Sequence, residues 1–213
     1  MNIFFRKTVA IVLFLLYLPV SYAISAEEQK LIDAFNSNSV EQIIAEINNA
    51  KKYRYKGDLN ELLINMWYSK NDNTVSSKMM QKDIVRVNVA DYLIQAYNNQ
   101  LIDIDISGMH DYVKSLLKKK DPEVLSVALL VIGKIDDPQD VDLLEPFLLS
   151  DSMYLFRSAT IALAMMCNKK AVDKVSNVLS KLTDHEKKEF MIQTVDEFNN
   201  MKQLGGICKQ RDH

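Results

Sequence analysis

An internal repeat is the feature that most constrains the fold of this chain. Residues 126–133 align with residues 157–164 at an offset of 31 residues, and the same offset relates the segments that follow them. The paired positions are Ala128 and Ala159, Ile132 and Leu163, and Gly133 and Ala164; in the following segment they are Val141 and Val172, Leu144 and Val175, and Leu148 and Leu179. Asp121 and Asp151 open the two units with a slippage of one residue from this offset. A repeat of about 31 residues, with small residues where helices would touch, is typical of a solenoid of helix pairs.

The shortage of turn-forming residues excludes most β-structure. The 213 residues include 5 glycines and 4 prolines, whereas a β-sandwich or barrel needs a turn about every 8–12 residues, usually built with such residues. Hydrophobic residues make up 48% and charged residues 25% of the chain. These are ordinary values for a globular protein and exclude a disordered one. The composition therefore predicts an all-α protein with a substantial core.

Helix-start signals recur between residues 25 and 186. Ser25, Ser39 and Thr183 each begin a capping-box pattern, with Glu or Gln three residues later. Asp58 and Asp121 are further candidates for helix caps. Apolar residues follow these caps at helical spacing. Residues 101–106 alternate like a strand, but the segment is short and has no pairing partner, so we expect an extended connector.

The segment at 1–23 has the pattern of a secretory signal peptide. Arg6 and Lys7 precede an apolar run over residues 8–20, and small residues stand at positions 21 and 23. The run is shorter than the roughly 20 residues of a membrane span, although an uncleaved N-terminal anchor helix is the alternative. Cleavage near Ala23 would remove two of the 26 basic residues and leave 28 acidic ones, hence a net charge of −4. We expect a periplasmic or secreted protein without stable membrane insertion, and its charge disfavours nucleic acid as a partner.

Two cysteines, Cys167 and Cys208, follow the signal segment, and export would permit a disulfide between them. The bridge would tie the C-terminal helix to the preceding helix pair. It would close a loop of about 41 residues, which stabilises by about 4 kcal/mol in the chain-entropy treatment. The alternative is a small apolar core side chain at Cys167 and a free thiol at Cys208.

The best-defined repeat resembles a known family. Asp-Pro-Glu-Val at 121–124, Ala128, and Ile-Gly-Lys-Ile-Asp-Asp-Pro at 132–138 are similar to HEAT repeats of the short, lyase-associated type. The next unit matches less closely, through Arg157 and Ala159. Ser126 stands where the pattern prefers arginine, and Asn-Lys-Lys at 168–170 replaces the Asp-Pro turn. The resemblance implies a HEAT-like α-solenoid of antiparallel helix pairs that binds other proteins on its concave face.

The resemblance and the patterns together divide the chain into four regions. We expect a signal peptide at 1–23, an N-terminal helical region at 24–75, HEAT-like repeats at 76–182, and a C-terminal helix and tail at 183–213. The first of the HEAT-like units is a weak match, carried by Arg86, Ala90 and Leu93.

Motifs for catalysis, cofactors and metals are missing from the sequence. His110, His185 and His213 have no Cys, Asp or Glu partner at the spacing of metal ligands. We expect these imidazoles to be solvated or to cap helices. Asp136 and Asp137 fit the turn between two repeat helices. We therefore expect no enzyme activity, no cofactor and no metal.

Two surface features are candidates for a partner-binding site. One is segment 51–56, where Lys52 and Arg54 belong to a basic run interleaved with tyrosines. It suits an acidic protein or anionic lipid headgroups; the alternative is a solvated helix end whose tyrosines pack inward. The other follows from the resemblance, which places the second helix of each unit on the concave face. The non-core positions of these second helices form an acidic-to-polar strip that could bind a partner; the alternative is a merely solvated face. These positions are Asp142, Glu145, Asp173 and Asn177.

The signal peptide, the repeat and the missing catalytic motifs favour a protein that acts by binding another protein. An exported inhibitor, such as an immunity protein that neutralises a periplasmic toxin, needs only a shaped and charged surface of about 800 Å² per partner. One alternative is an adaptor or assembly factor in envelope biogenesis. Another is a lyase or hydrolase that uses the solenoid groove, which a cluster of His, Asp and Glu side chains in the folded chain would favour.

Overall fold

The computed structural model describes residues 25–52, 57–69 and 74–203, and in these ranges the chain is helical without a β-strand. The all-α expectation is therefore confirmed. The predicted signal peptide lies outside the described residues. The helices are α1 (Ala26–Asn36), α2 (Val40–Lys52), α3 (Gly57–Tyr68), α4 (Val75–Met80), α5 (Asp83–Asn98), α6 (Ser107–Leu116), α7 (Pro122–Ile135), a short 3₁₀ helix (Pro138–Asp140), α8 (Val141–Leu148), α9 (Met153–Met165), α10 (Lys169–Lys181) and α11 (His185–Gln203).

Side-chain caps start several helices where the sequence predicts them. The Ser25 hydroxyl accepts a hydrogen bond from the Glu28 N–H at 3.1 Å, and the Ser39 hydroxyl accepts one from the Gln42 N–H at 3.2 Å. The Asp121 carboxylate accepts from the N–H groups at positions 123 and 124, and Pro122 takes the first position of α7. A proline suits this position because the first N–H of a helix has no partner within the helix.

Three helix starts differ from the expectation. Asp184, not Thr183, caps α11, because its carboxylate accepts the Lys187 N–H at 3.0 Å. Ser152, not Asp151, caps α9. The caps of α7 and α9, at residues 121 and 152, therefore keep the offset of the repeat, and the slippage disappears. Asp58 lies in the first turn of α3, which begins at Gly57.

The helices pack in order along the chain. One row contains α2, α5, α7, α9 and α11, each packed on the next, while α6, α8 and α10 pack against the side of this row. Helix α5 contacts α2, α3, α4, α6 and α7 and is buried on nearly every side. A single buried cluster extends from Leu31 in α1 to Met191 in α11.

Small residues allow α7 and α9 to lie close together. A Cβ on Gly133 would stand 2.6 Å from the Cα and carbonyl oxygen of Ala162. The hydroxyls of Ser126 and Ser158 share a hydrogen bond of 2.7 Å between the same two helices. Ala159, which the repeat pattern singles out, is fully buried.

The second helices of the two units bury side chains at slightly different positions of the repeat. Helix α8 buries Val141, Leu144 and Leu148, as expected. Helix α10 buries Ala171, Val175 and Val178, while Val172 is 55% exposed. Val172, which the repeat aligns with the buried Val141, lies outside the core because α10 turns Ala171 inward instead.

The connector between α5 and α6 is extended, as the sequence predicts. Ile102, Ile104 and Ile106 are half-buried and pack against the core, while the residues between them are exposed. The alternation thus arises because one side of the connector faces the core, although the connector does not pair as a strand. Among the described helices, none is long and apolar enough to serve as a membrane span.

Candidate functional site

The four strip residues predicted from the second helices lie at the surface of α8 and α10. The side chains of Asp142, Glu145 and Asp173 are 59%, 42% and 61% exposed, and Asn177 is also exposed. Each helix buries one mainly apolar face against the core, and these polar positions lie on the side that faces solvent. The structure therefore places the predicted residues on two helices that contact each other.

Three lysines that the sequence analysis did not assign to this surface lie among these carboxylates. Lys174 Nζ is 3.0 Å from Asp142 Oδ1 and 2.8 Å from Glu145 Oε2. Lys170 Nζ is 2.8 Å from Asp142 Oδ2, and Lys169 pairs with Asp173 within α10 at 2.6 Å. We call the whole set the α8–α10 strip: Asp142, Glu145, Lys169, Lys170, Asp173, Lys174 and Asn177. Its three carboxylates and three ammonium groups alternate, so it is mixed in sign rather than acidic.

The ion pairs keep the strip charged and hold its two helices together. Hydrogen bonds from Lys170 and Lys174 keep the pKa of Asp142 below its usual value. Hydrogen bonds to Glu145 and Asp142 raise the pKa of Lys174. The Lys174 side chain is only 14% exposed, so its position is restricted. Lys174 is therefore held in place before any partner arrives, which reduces the entropy that its side chain loses on binding.

The basic segment 51–56 divides between different environments. Lys52 is exposed at the end of α2, and Arg54 lies outside the described residues. Lys51 instead reaches the buried Asp91, with its Nζ 2.6 Å from Oδ2. Lys134 Nζ contacts the other carboxylate oxygen at 2.6 Å. Burial alone would raise the pKa of Asp91, but the two ammonium groups outweigh it and lower the pKa. Lys51 therefore helps to join α2 to α5 and α7.

The structure brings His110 close to two carboxylates, contrary to the expectation of a solvated or capping imidazole. One ligand atom from each of His110, Asp137 and Asp140 lies within 4.8 Å of the others. His110 and Asp140 are 30 residues apart, so no local spacing rule could have found the pair. The side chain of His185 is 84% exposed, as expected, and His213 lies outside the described residues.

The predicted disulfide remains a prediction. Cys167 is exposed after the end of α9, where its N–H donates to Asp136 Oδ1 at 2.9 Å. Cys208 lies outside the described residues.

No family model, curated protein or solved structure matches this chain. The resemblance to HEAT repeats therefore stays an expectation from the sequence. Function has to be argued from the surface and the side-chain groups described above.

Proposed function

We propose that this chain is an exported, HEAT-like solenoid that binds another protein through the α8–α10 strip and has no catalytic role. Its most fitting task is stoichiometric inhibition, for example as an immunity protein that neutralises a toxin in the periplasm. The observation that carries the proposal is the solvent-facing strip formed by two neighbouring helices, which the Lys174 ion pairs link to each other.

The charge pattern of the strip defines the kind of partner surface it fits. Exposed charges at an interface govern the association rate and exclude wrong partners more than they add affinity. Because Asp142, Lys170, Lys174 and Glu145 alternate in sign, a complementary partner would carry both signs at matching positions. A uniformly basic partner would meet three ammonium groups as well as three carboxylates, so it would gain little.

The packing order supports the solenoid part of the proposal. Helices α5, α7, α9 and α11 each contact the next helix of the same row. The caps of α7 and α9 keep the offset of the sequence repeat. Nearest-neighbour stacking of similar units is how solenoids build a continuous core and an extended surface for a partner.

A matched pair of double variants tests the strip. Asp173→Arg with Asn177→Arg reverses the charge at one exposed position of α10 and adds a positive charge at another, without touching the Lys174 ion pairs. Asp196→Arg with Asn200→Arg makes the same change at exposed positions of α11. The bait is the chain from residue 24 onward, offered to envelope extracts and to the products of neighbouring genes. Bound proteins are identified by mass spectrometry, and their affinities are then measured with purified components.

We expect the wild-type chain and the α11 variant to bind the same protein with equal affinity. The α10 variant should bind it at least about 10-fold more weakly, since opposing like charges at an interface costs more than about 1 kcal/mol. Equal binding by both variants, or no specific partner for the wild-type chain, would contradict the proposal. Loss of a toxin's activity should be complete at one chain per toxin molecule.

The adaptor and enzyme alternatives make different predictions. An envelope assembly factor predicts a deletion phenotype in cells that have no toxin gene nearby. A groove enzyme is favoured by one observation, the group formed by His110, Asp137 and Asp140. It predicts that substoichiometric amounts of the chain consume a substrate or inactivate a target, whereas an inhibitor requires equal amounts.

A further inference from the structure

Two chain segments converge where α6 begins and α8 is about to begin. His110 and Lys114 lie one turn apart on α6, so they share a face of the helix. Asp137 caps the 3₁₀ helix and Asp140 ends it. One ligand atom from each of His110, Asp137 and Asp140 lies within 4.8 Å of the others, and Lys114 pairs with Asp140, so the four side chains meet in one small region between the two segments.

The contacts in this region centre on Asp140, which is 1% exposed. Asp140 Oδ2 forms a hydrogen bond with His110 Nε2. Asp140 Oδ1 lies 3.1 Å from Lys114 Nζ as an ion pair, but it accepts no hydrogen bond from the described residues. Asp137 uses Oδ1 to accept the Gln139 N–H at 2.9 Å.

Asp137 has no charged partner in this group. Lys114 pairs with Asp140, and no lysine or arginine in the described ranges pairs with Asp137. The Nε2 atom of His110 carries at most one hydrogen and faces Asp140, so it cannot also donate to Asp137. Like charges held close together in a half-buried place repel each other, and a divalent cation between them removes that cost.

We propose that His110, Asp137 and Asp140 bind one Zn²⁺ ion. Imidazole nitrogen and carboxylate oxygen are both zinc ligands, with bonds of about 2.0–2.2 Å. Ligand atoms within 4.8 Å of one another can reach a common ion through side-chain rotation. Mg²⁺ and Ca²⁺ prefer all-oxygen sites, so the imidazole selects against them.

The neighbouring groups suit such a site. Lys114 holds the outer oxygen of Asp140, which is the role that a supporting partner plays for a ligating carboxylate. With three protein ligands, a fourth position stays open for water or for a donor from another molecule. The zinc site is separate from the α8–α10 strip, since none of its ligands belongs to α8 or α10, and it does not depend on the proposed function.

Zinc binding is tested by calorimetry on the purified chain from residue 24 onward. The affinity tag is removed, the protein is treated with EDTA and dialysed, and free thiols are alkylated so that they cannot hold metal. ZnCl₂ is titrated with an excess of MgCl₂ and CaCl₂ present. We expect one Zn²⁺ per chain. At a free zinc concentration of about 100 times the dissociation constant, zinc should raise the melting temperature of the chain by about 5–10 °C.

Variants decide which residues hold the ion. His110→Ala and Asp137→Asn should each weaken zinc binding by more than about 100-fold, since even supporting residues are worth about 10–100-fold. His185→Ala and His213→Ala should bind zinc like the wild type. His185 is a matched control because it also lies beside a carboxylate, Glu189, but is exposed.

Three results would overturn the proposal: no stoichiometric binding at about 100 µM zinc, displacement of zinc by calcium, and unchanged binding by His110→Ala. Loss of binding in His185→Ala or His213→Ala would place the ion elsewhere. If His110→Ala fails to fold, which circular dichroism would show, the half-buried Asp137→Asn variant decides the outcome.

Discussion

At the scale of single residues, Gly133 shows how one side chain, or its absence, permits a helix crossing. A glycine inside a helix costs about 1 kcal/mol relative to alanine. Here that cost is offset because the α9 backbone at Ala162 occupies the space that a methyl group would need. The neighbouring Ser126–Ser158 hydrogen bond is buried and links the same helices. The close approach thus determines how the two repeat units lie against each other.

Replacing this glycine tests the crossing. Gly133→Ala should lower the free energy of unfolding by about 2 kcal/mol, because overpacking outweighs the gain in helix propensity. Urea unfolding followed by circular dichroism measures the change. Gly108→Ala is the control, since no atom lies within 4 Å of its added Cβ. That variant should be neutral or gain up to about 1 kcal/mol. Equal stability of the two variants would contradict the backbone contact.

At the scale of helices, Asp91 joins three elements that are distant in sequence. It lies on α5 and is 6% exposed, and it binds Lys51 of α2 and Lys134 of α7. Asn98 of α5 adds a second link by donating to the Lys134 carbonyl oxygen at 2.7 Å. Removing the carboxylate would leave two partly buried ammonium groups without their partner.

Asp91→Asn should therefore be strongly destabilising. We expect a loss of about 3 kcal/mol at pH 7, since breaking a buried ion pair from one side costs about 3–5 kcal/mol and both lysines keep some access to water. The exposed Asp173→Asn serves as a control and should change stability little. Urea unfolding at neutral pH measures both.

The same variant should alter the dependence of stability on pH. The pKa of Asp91 is lowered in the folded chain, so its contribution is present above its unfolded pKa of about 4. That contribution is lost as the pH falls through the lower folded pKa. The stability gap between the wild type and Asp91→Asn should therefore be constant from pH 7 to about pH 5 and narrow in stronger acid. A gap that widens in acid would contradict this assignment.

At the scale of the whole molecule, the stack has a C-terminal end where α11 packs mainly on α9. The N-terminal parts of these helices meet through Arg157 and Glu186, whose Nη2 and Oε1 are 3.3 Å apart, and α11 packs along α9. The described part of the chain ends at Gln203, five residues before Cys208. Cys167 follows the end of α9 and is exposed. A bridge between the cysteines would fasten the last helix to the stack.

The bridge and the export proposal are tested together. Protein isolated from the cell envelope with thiols blocked should migrate faster on a non-reducing gel than on a reducing gel. Peptide mass spectrometry should find Cys167 linked to Cys208. Reduction should lower the melting temperature by about 10 °C, the equivalent of about 4 kcal/mol for a chain of this size. Cys208→Ser should remove both effects, and two alkylated cysteines in envelope protein would contradict the bridge.

Features that depend only on neighbours along the chain could be predicted from the amino-acid sequence. The helical class, the cap at Asp121, the extended connector and the offset between the two repeat units follow from local hydrogen bonding and from the period of apolar residues. The strip positions Asp142 and Glu145 could also be placed at the surface, because the helix period assigns them to the side opposite the core.

Contacts between side chains that are distant along the chain could not be predicted, because they depend on how the helices pack. Lys174 bridges α10 to α8, Val172 turns outward, and His110 reaches Asp140 across 30 residues. Each depends on how one helix is rotated and shifted against another, and a residue or two of shift changes the partner. The rotation and shift of each helix are set by packing the whole interface at close to crystalline density. The pattern of residues along one segment does not specify them.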